Sequence, residues 1–284
     1  MTDQRTLQPG YDLDRTQPLG PFAGWYGKMP CLGDFASRRL VPEFIETWDR
    51  WLQRSIAASR KQLGEAWLDF FLTSPMWRFA VSPGVCGDYA WAGLLVPSVD
   101  KVGRYFPLTL ALPLERGEGD FQNMFAAQDW YAQLESIGLS ALNVEFSIDQ
   151  LENALATCPF PLSPRVHAEV HAAREIAVAL EKPAASPQAV AIGRGASLPA
   201  VMNGAARAIF SAAVTGKTFW WTIAQDGGGT AFHCSTGLPP VDYYAVLLGA
   251  LPAPQSPAAS DALSADPLKA FGFEPTPDDA RPAG

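Results

Sequence analysis

The sequence predicts a mixed α/β (α+β) fold in which a mostly antiparallel central sheet is flanked by helices, an α/β/α sandwich. Strand-like segments that follow one another along the chain favour antiparallel pairing, and the helical segments are long enough to cover both faces of a sheet. The 284 residues are 48% hydrophobic and 18% charged, which suffices for a buried core. This composition excludes a disulfide-stapled miniprotein, a coiled coil and a wholly disordered chain.

The first half of the predicted domain alternates strands with helices. Its first strand covers residues 24–29 and ends at Pro30, and a loop with a Gly33-Asp34 turn follows. Apolar residues then recur at helical spacing from Pro42, a favourable first-turn residue, to about Leu63, before Gly64 ends the helix. A shorter helix is predicted over residues 65–72, and further strands are predicted over 76–81, 90–96 and 105–112.

The second half of the predicted domain is mainly helical and ends in a hairpin. Asp149 is predicted to cap a helix, with Glu152 three residues later completing a capping box. The segment Asp226-Gly-Gly-Gly229 supplies the turn of a hairpin between strands 217–224 and 230–234. The other predicted helices cover 121–137, 165–180, 204–214 and 242–250, the other predicted strand covers 143–148, and a Pro- and Gly-rich loop covers 182–199.

Composition divides the chain into a domain and two flanking segments. Residues 1–21 are polar and are predicted to form a flexible arm. Residues 22–251 are predicted to form a single α/β domain, with a motif-rich core at 24–114 and a helical and hairpin remainder at 115–251. Residues 252–284 contain seven Pro and eight Ala and are predicted to be a disordered tail.

The charge distribution limits the kinds of partner. The formal net charge is −8, which repels phosphate backbones and argues against nucleic acid as a partner.

The polar N-terminal sequence carries no apolar signal segment, and the longest apolar run reaches about half of the ~20 residues that a membrane helix needs. The four cysteines form no CxxC pair and are expected to be free, buried thiols. A cytoplasmic protein without membrane insertion is therefore predicted.

No residue pattern favours a catalytic, cofactor or metal site. His167 and His171 lie four residues apart on a predicted helix, but a metal site needs more ligands, and the only other histidine is His233. Cys86 or Ser98 would have to pair with that histidine as nucleophile and base, yet neither lies in an activating turn. The glycine-rich segments are better explained as turn and linker than as phosphate loops. We expect no cofactor and no metal.

Two loops combine Gly and Pro with basic and aromatic residues. The first loop, together with the two arginines that follow it, covers residues 27–39, and the second loop covers residues 97–107. Arginine and aromatic side chains dominate protein-binding hot spots, because they supply bidentate hydrogen bonds and large desolvated areas. The alternative is that both loops are structural turns with Phe35 and Phe106 tucked inward. The residues predicted to contact a protein partner are Lys28, Asp34, Phe35, Arg38, Arg39, Asp100, Arg104 and Tyr105.

These loops belong to longer motifs that are similar to a known family. The motifs are W-Y-G-K-x-P-x-x-G-D-F-x-x-R-R (25–39), W-D-x-W-L (48–52), W-x-F-A-x-x-P-G-V-C-G (77–87) and W-A-G-x-x-x-P-S-V-D-x-V-G-R-Y-F-P-L-T (91–109). On these motifs the chain resembles the TagF family of type VI secretion-associated proteins, in the stand-alone form without a fused phosphatase domain. The match is dense over residues 24–114 and looser beyond them.

The resemblance implies a post-translational repressor of type VI secretion system assembly in the cytoplasm of a Gram-negative bacterium. It implies binding to the forkhead-associated scaffold protein and to other components of the secretion machine, and it implies a longin- or profilin-like fold. Two alternatives stay open. One is a hydrolase- or phosphatase-like enzyme of the same pathway, in which Asp34, Asp100 or His233 would converge on a nucleophile or a metal. The other is a sensor of a small ligand or nucleotide.

Overall fold

The computed structural model describes residues 22–114, 121–161, 170–181, 190–192, 197–223 and 230–252. Contacts divide the chain into the units 1–250 and 251–284, and all of the described strands and helices lie in the first. The predicted arm, the 226–229 turn, His167 and the predicted tail beyond Pro252 lie outside the described residues. None of the described helices has the length and apolar character of a membrane-spanning segment.

Seven strands form one sheet in which every neighbouring pair is antiparallel. They are β1 (Gly24–Gly27), β2 (Ala36–Arg38), β3 (Trp77–Val81), β4 (Ala90–Val96), β5 (Leu108–Leu114), β6 (Lys217–Ile223) and β7 (Thr230–Thr236). The order across the sheet is β2-β1-β5-β4-β3-β6-β7. Strands β3, β4 and β5 form a meander, the β1–β2 pair is added beside β5, and the β6–β7 pair is added beside β3. The sheet confirms the predicted antiparallel pairing.

Helices cover both faces of this sheet. They are α1 (Pro42–Leu63), α2 (Trp67–Thr73), α3 (Phe121–Ala126), α4 (Gln128–Ser140), α5 (Ile148–Ala156), α6 (Val170–Glu181), α7 (Leu198–Val214) and α8 (Tyr244–Leu247). Helix α1 begins at Pro42 and ends before Gly64, as predicted. Gly64 has φ +54°, a conformation that glycine adopts without steric cost.

Side chains that point alternately to the two faces of the sheet divide the core into two layers. On β4, Ala92 and Leu94 face a layer that packs under α3, α4 and α5. Trp91 and Leu95 point the other way, into a layer under α1, α2 and α8 that is rich in aromatic rings. Trp48 on α1 lies at the centre of this second layer, with its rings stacked at 5.6 Å on those of Trp220. The α/β/α arrangement that the sequence predicted is therefore confirmed.

Several predicted elements have different bounds in the structure. Residues 36–38, for which no strand was predicted, form β2 because they pair with β1 in the register Trp25↔Arg38. The predicted helix 121–137 is divided at Ala127 into α3 and α4. Helix α7 begins six residues before the predicted start, with a proline in its first turn. The predicted helix 242–250 is reduced to a 3₁₀ turn and the short α8.

Two further sequence-based expectations are wrong. Residues 143–148 were predicted to be a strand, but residues 143–147 lie outside any strand or helix, with Val144 60% exposed, and Ile148 begins α5. The cysteines are free, but Cys234 is exposed and Cys31 is half-buried, while Cys86 and Cys158 are buried. Cys234 is exposed because it lies on β7, the edge strand of the sheet.

The capping box of α5 is present but lies two residues earlier than predicted. Ser147 Oγ accepts a hydrogen bond from the Gln150 N–H at 3.2 Å, and Gln150 Oε1 accepts one from the Ser147 N–H at 2.8 Å. Asp149 lies inside the first turn, where its charge still favours the helix N-terminus.

Ser147→Ala is therefore expected to lower the free energy of unfolding by about 1 kcal/mol, because it leaves first-turn N–H groups without an acceptor. Asp149→Ala is the matched control and should cost only about 0.3–0.5 kcal/mol through the helix dipole. Urea denaturation curves of both variants measure the difference. A larger loss for Asp149→Ala than for Ser147→Ala would contradict the assigned cap.

Candidate protein-binding site

The first and second loops lie side by side and share a buried ion pair. Lys28 Nζ donates to Asp100 Oδ2 at 2.7 Å, and the two side chains are 5% and 0% exposed. Ser98 Oγ donates to the Lys28 carbonyl oxygen at 2.8 Å. The Lys101 N–H donates to the Leu32 carbonyl oxygen, also at 2.8 Å. The two loops therefore form one unit, here called the two-loop site.

Asp100 organises the second loop through its carboxylate. Oδ1 accepts from the N–H groups of Val102 and Arg104 at 3.0 and 2.8 Å, and Oδ2 also accepts from Arg104 Nε at 2.7 Å. Burial by itself would raise the pKa of Asp100. The hydrogen bonds from Lys28, Arg104 and Val102 outweigh burial and hold that pKa well below its usual range. Asp100 is thus an ionised anchor of the loop.

Aromatic rings form the inner side of the two-loop site. The Phe35 ring lies edge-to-face with Phe106 at a centroid distance of 4.7 Å and stacks on Tyr26 at 6.0 Å. Lys28 Nζ lies 4.7 Å from the centroid of Phe35, within the range of a cation–π contact. Phe106 is buried and Phe35 is half-buried. The inward position of Phe35 and Phe106 agrees with the alternative in which the two loops are structural turns.

Charged side chains form the exposed rim of the two-loop site. Arg104 is 52% exposed and Asp34 is 75% exposed, with 3.7 Å between Arg104 Nη2 and Asp34 Oδ1. Arg38 is exposed on the edge strand β2. These three side chains are accessible to a partner. Lys28 and Asp100 are buried and pair with each other in this structure, and their predicted contact with a partner is untested.

Arg39 is directed toward α5 and the start of β1. It adopts φ +57°, and its guanidinium pairs with Glu152 on α5 and donates from Nη2 to the Ala23 carbonyl oxygen at 2.9 Å. Trp25 Nε1 donates to the other carboxylate oxygen of Glu152 at 2.6 Å. The Arg39 side chain is only 19% exposed and has a structural role here, and its contact with a partner stays a prediction.

An open cavity of about 540 Å³ lies between the second loop and the junction of α1 with α2. Arg104 and Tyr105 line one side, and Arg60, Glu65 and Trp67 line the other. The Arg60 guanidinium carbon lies 4.1 Å from the centroid of the Trp67 ring, which holds the charge over the aromatic face. The cavity therefore offers two guanidinium groups and aromatic walls, with one carboxylate, to a ligand.

Sequence patterns did not indicate Arg60 or Trp67 as site residues. Arg60 follows the helical repeat of α1, and Trp67 is a buried ring at the start of α2. The two helices meet at Gly64, whose left-handed backbone turns the chain and brings these side chains together. Gly64 at the end of α1 could have indicated that Arg60 and Trp67 lie close together, because it places the last turn of one helix beside the first turn of the next.

Of the residues in the enzymatic alternative, Asp34 and Asp100 lie in the two-loop site, whereas His233 lies on a different strand of the sheet. His233 is on β7, at the opposite edge of the sheet from β2, and its Nδ1 lies 2.7 Å from the Tyr243 hydroxyl. Burial raises the pKa of Cys86 to about 12, which makes its thiolate scarce at neutral pH. Among the described residues, no group of three or more His, Cys, Asp or Glu is placed to hold a metal ion.

Part of the chain matches the model of a known protein family. Residues 24–158 match the model of the TagF N-terminal domain, described as type VI secretion system-associated. Among solved structures, PA0076 from Pseudomonas aeruginosa PAO1 is 34% identical in sequence, with a TM-score of 0.64. That alignment covers 83% of this chain and 98% of the PA0076 chain. A search of curated proteins finds no match.

Proposed function

The chain belongs to the TagF family of type VI secretion-associated proteins, and we propose that it represses assembly of the secretion system by binding a protein partner. The partner in this proposal is the forkhead-associated scaffold that the family resemblance implies. The binding takes place in the cytoplasm, after the components have been synthesised, and requires no reaction by the chain itself.

The exposed rim beside the cavity is the observation that carries this proposal. Arg104 is exposed and lines a 540 Å³ cavity together with a second guanidinium, that of Arg60, and Arg38 is exposed on the edge strand β2. The loop that presents Arg104 is held by the buried Lys28–Asp100 pair, so the rim is ordered before a partner arrives. A pre-ordered surface loses less conformational entropy on binding than a mobile one.

The charge of the cavity points to an acidic partner segment. Arg104 donates to the Gly33 carbonyl oxygen and to Asp100, which fixes the plane of its guanidinium. Arg60 is exposed and lies over the Trp67 ring. Guanidinium groups in fixed orientation bind carboxylates with two parallel hydrogen bonds. A segment with acidic side chains and one apolar side chain fits these features.

Arg38→Glu and Arg60→Glu are expected to weaken scaffold binding by roughly tenfold or more each, because they place like charge against an acidic segment. Isothermal titration of the full chain with the forkhead-associated scaffold of the same organism measures this. Arg54→Glu, an exposed arginine of α1 outside the cavity, is the matched control and should bind like the wild type.

Two outcomes contradict different parts of the proposal. If the wild-type chain does not bind the scaffold, the partner is wrong. If the wild type binds and Arg38→Glu and Arg60→Glu bind equally well, the surface is wrong. Repression itself is tested in a strain that lacks the gene. Secretion should rise there and fall again when the wild-type chain, but not Arg60→Glu, is supplied.

A further inference from the structure

The two edges of the sheet differ in length and charge. Strand β2 has three residues and ends in Arg38, with Arg39 directly after it. A short edge with charged side chains resists pairing with another strand. Strand β7 has seven residues, Thr-Ala-Phe-His-Cys-Ser-Thr, without a charged side chain or a proline. The β7 edge therefore lacks the features by which edge strands usually avoid association.

The outer side of β7 is open to pairing in the part of the chain that the structure describes. Strand β7 pairs with β6 on one side and is the last strand of the sheet. In an antiparallel strand, every second residue directs its N–H and C=O away from the neighbour it already has. Ala231, Phe232 and Cys234 are exposed, with Phe232 at 55%. Backbone donors, backbone acceptors and apolar side chains are thus presented together.

From this edge we infer that β7 pairs antiparallel with β7 of a second copy of the chain, across a two-fold axis at His233. The pairing joins two seven-stranded sheets into one continuous sheet. A two-fold contact uses the same surface on both copies and therefore has to be self-complementary. The sequence of β7 meets this requirement, because its residues are neutral on both sides of His233.

The register places compatible side chains opposite each other. Phe232 lies opposite the partner's Cys234, Ala231 lies opposite the partner's Ser235, and the two His233 residues lie opposite each other at the axis. Each His233 ring packs against Trp77 and Tyr243 of its own copy. Burial lowers the pKa of His233, so these rings bring no like charges together near neutral pH. Each copy carries a net charge of −8, so two copies approach most readily where the local charge is lowest.

An apolar strip beside β7 enlarges the contact. The Phe232 ring lies 6.3 Å from Phe125 on α3, and Phe125 lies 6.3 Å from Phe210 on α7. Ile223, the last residue of β6, is 44% exposed. Stable interfaces bury about 1,200 Å² or more in total, which exceeds what two paired strands supply alone. The strip of aromatic rings provides the remaining apolar area.

Sedimentation equilibrium of the full chain over a series of concentrations tests this inference. The expected result is a concentration-dependent dimer with twice the mass of the 30.6 kDa chain. The double variant Ala231→Lys/Cys234→Lys, in which both replaced side chains are exposed, should raise the dimer dissociation constant at least about tenfold. Ser37→Lys at the centre of β2 is the matched control on the other edge and should leave dimerisation unchanged.

Each other outcome overturns the inference. A wild-type chain that stays monomeric at all concentrations shows that β7 does not self-associate. A dimer that persists in the Ala231→Lys/Cys234→Lys variant lies on another surface. A dimer that Ser37→Lys dissociates to the same extent is not specific to β7. Circular dichroism of each variant verifies that the sheet is retained.

Discussion

Asp100→Asn is expected to lower the free energy of unfolding by about 3 kcal/mol, because it leaves the Lys28 ammonium buried without a counter-charge. This loss is at the lower end of the range for a broken buried pair. Arg104, the second partner of Asp100, is 52% exposed, and water screens its share of the interaction. Guanidinium denaturation of wild type and variant measures the loss.

Asp34→Asn is the matched control for this prediction. Asp34 belongs to the same two-loop site and also interacts with Arg104, but its side chain is 75% exposed. Exposed ion pairs contribute little to stability, so this variant should unfold close to the wild type. Equal losses for Asp34→Asn and Asp100→Asn would contradict the central role of the buried carboxylate.

The stability that Asp100 supplies should also depend on pH. Its pKa in the folded chain is below the value of about 3.9 expected for the unfolded chain. The unfolded chain therefore binds the proton first as the pH falls. The contribution of Asp100 is present in full above about pH 4 and is lost progressively below it. The stability difference between wild type and Asp100→Asn should narrow in that acidic range, and a constant difference would contradict this account.

Gly27→Ala is expected to lower the free energy of unfolding by about 3–5 kcal/mol and to distort the two-loop site. Gly27 has φ +133°, and a Cβ at this position would lie 2.2 Å from the Pro107 carbonyl oxygen. The strained backbone costs about 1–3 kcal/mol, and overpacking against a backbone atom adds a similar amount. Because Pro107 ends the second loop, relief of the clash moves the two loops apart.

Gly33→Ala is the matched control, since it changes the same residue type in the same loop. No heavy atom lies within 4 Å of the Cβ that this substitution adds. Thermal unfolding should therefore be nearly unchanged for Gly33→Ala and strongly shifted for Gly27→Ala. Scaffold binding, if the proposed function is correct, should follow the same order. Similar melting temperatures for the two variants would show that the close approach of the loops is not required.

Local signals were sufficient for much of the fold. Pro42 and Gly64 predicted both ends of α1, because proline fits the first turn of a helix and glycine adopts the left-handed backbone that ends one. The three strands of the β3–β4–β5 meander were predicted, β3 from alternation between two flanking prolines. In contrast, β2 has only three residues and forms because of its pairing with β1. Such a strand has no periodicity of its own to detect.

The candidate site was predicted less completely, because its key contacts are long-range. Lys28 and Asp100 are 72 residues apart in sequence, and residue type alone did not indicate that their charges meet in the interior. Arg39 is drawn inward by Glu152, which is 113 residues away. Asp34, Arg38 and Arg104 are exposed, and their contact with a partner stays a prediction. The cavity residue Arg60 was missed because it resembles any other charged helix position.

The stacked indoles of the aromatic layer give the chain an optical signature of its own tertiary structure. The Trp48 and Trp220 rings lie nearly parallel, 15° apart, and Trp51 lies 5.1 Å from Trp48. Rings fixed in such close arrangement produce near-ultraviolet circular dichroism, which is lost when specific packing is lost even if helices remain. Because Trp48 and Trp51 are on α1 and Trp220 is on β6, this signal reports the docking of one helix on one face of the sheet.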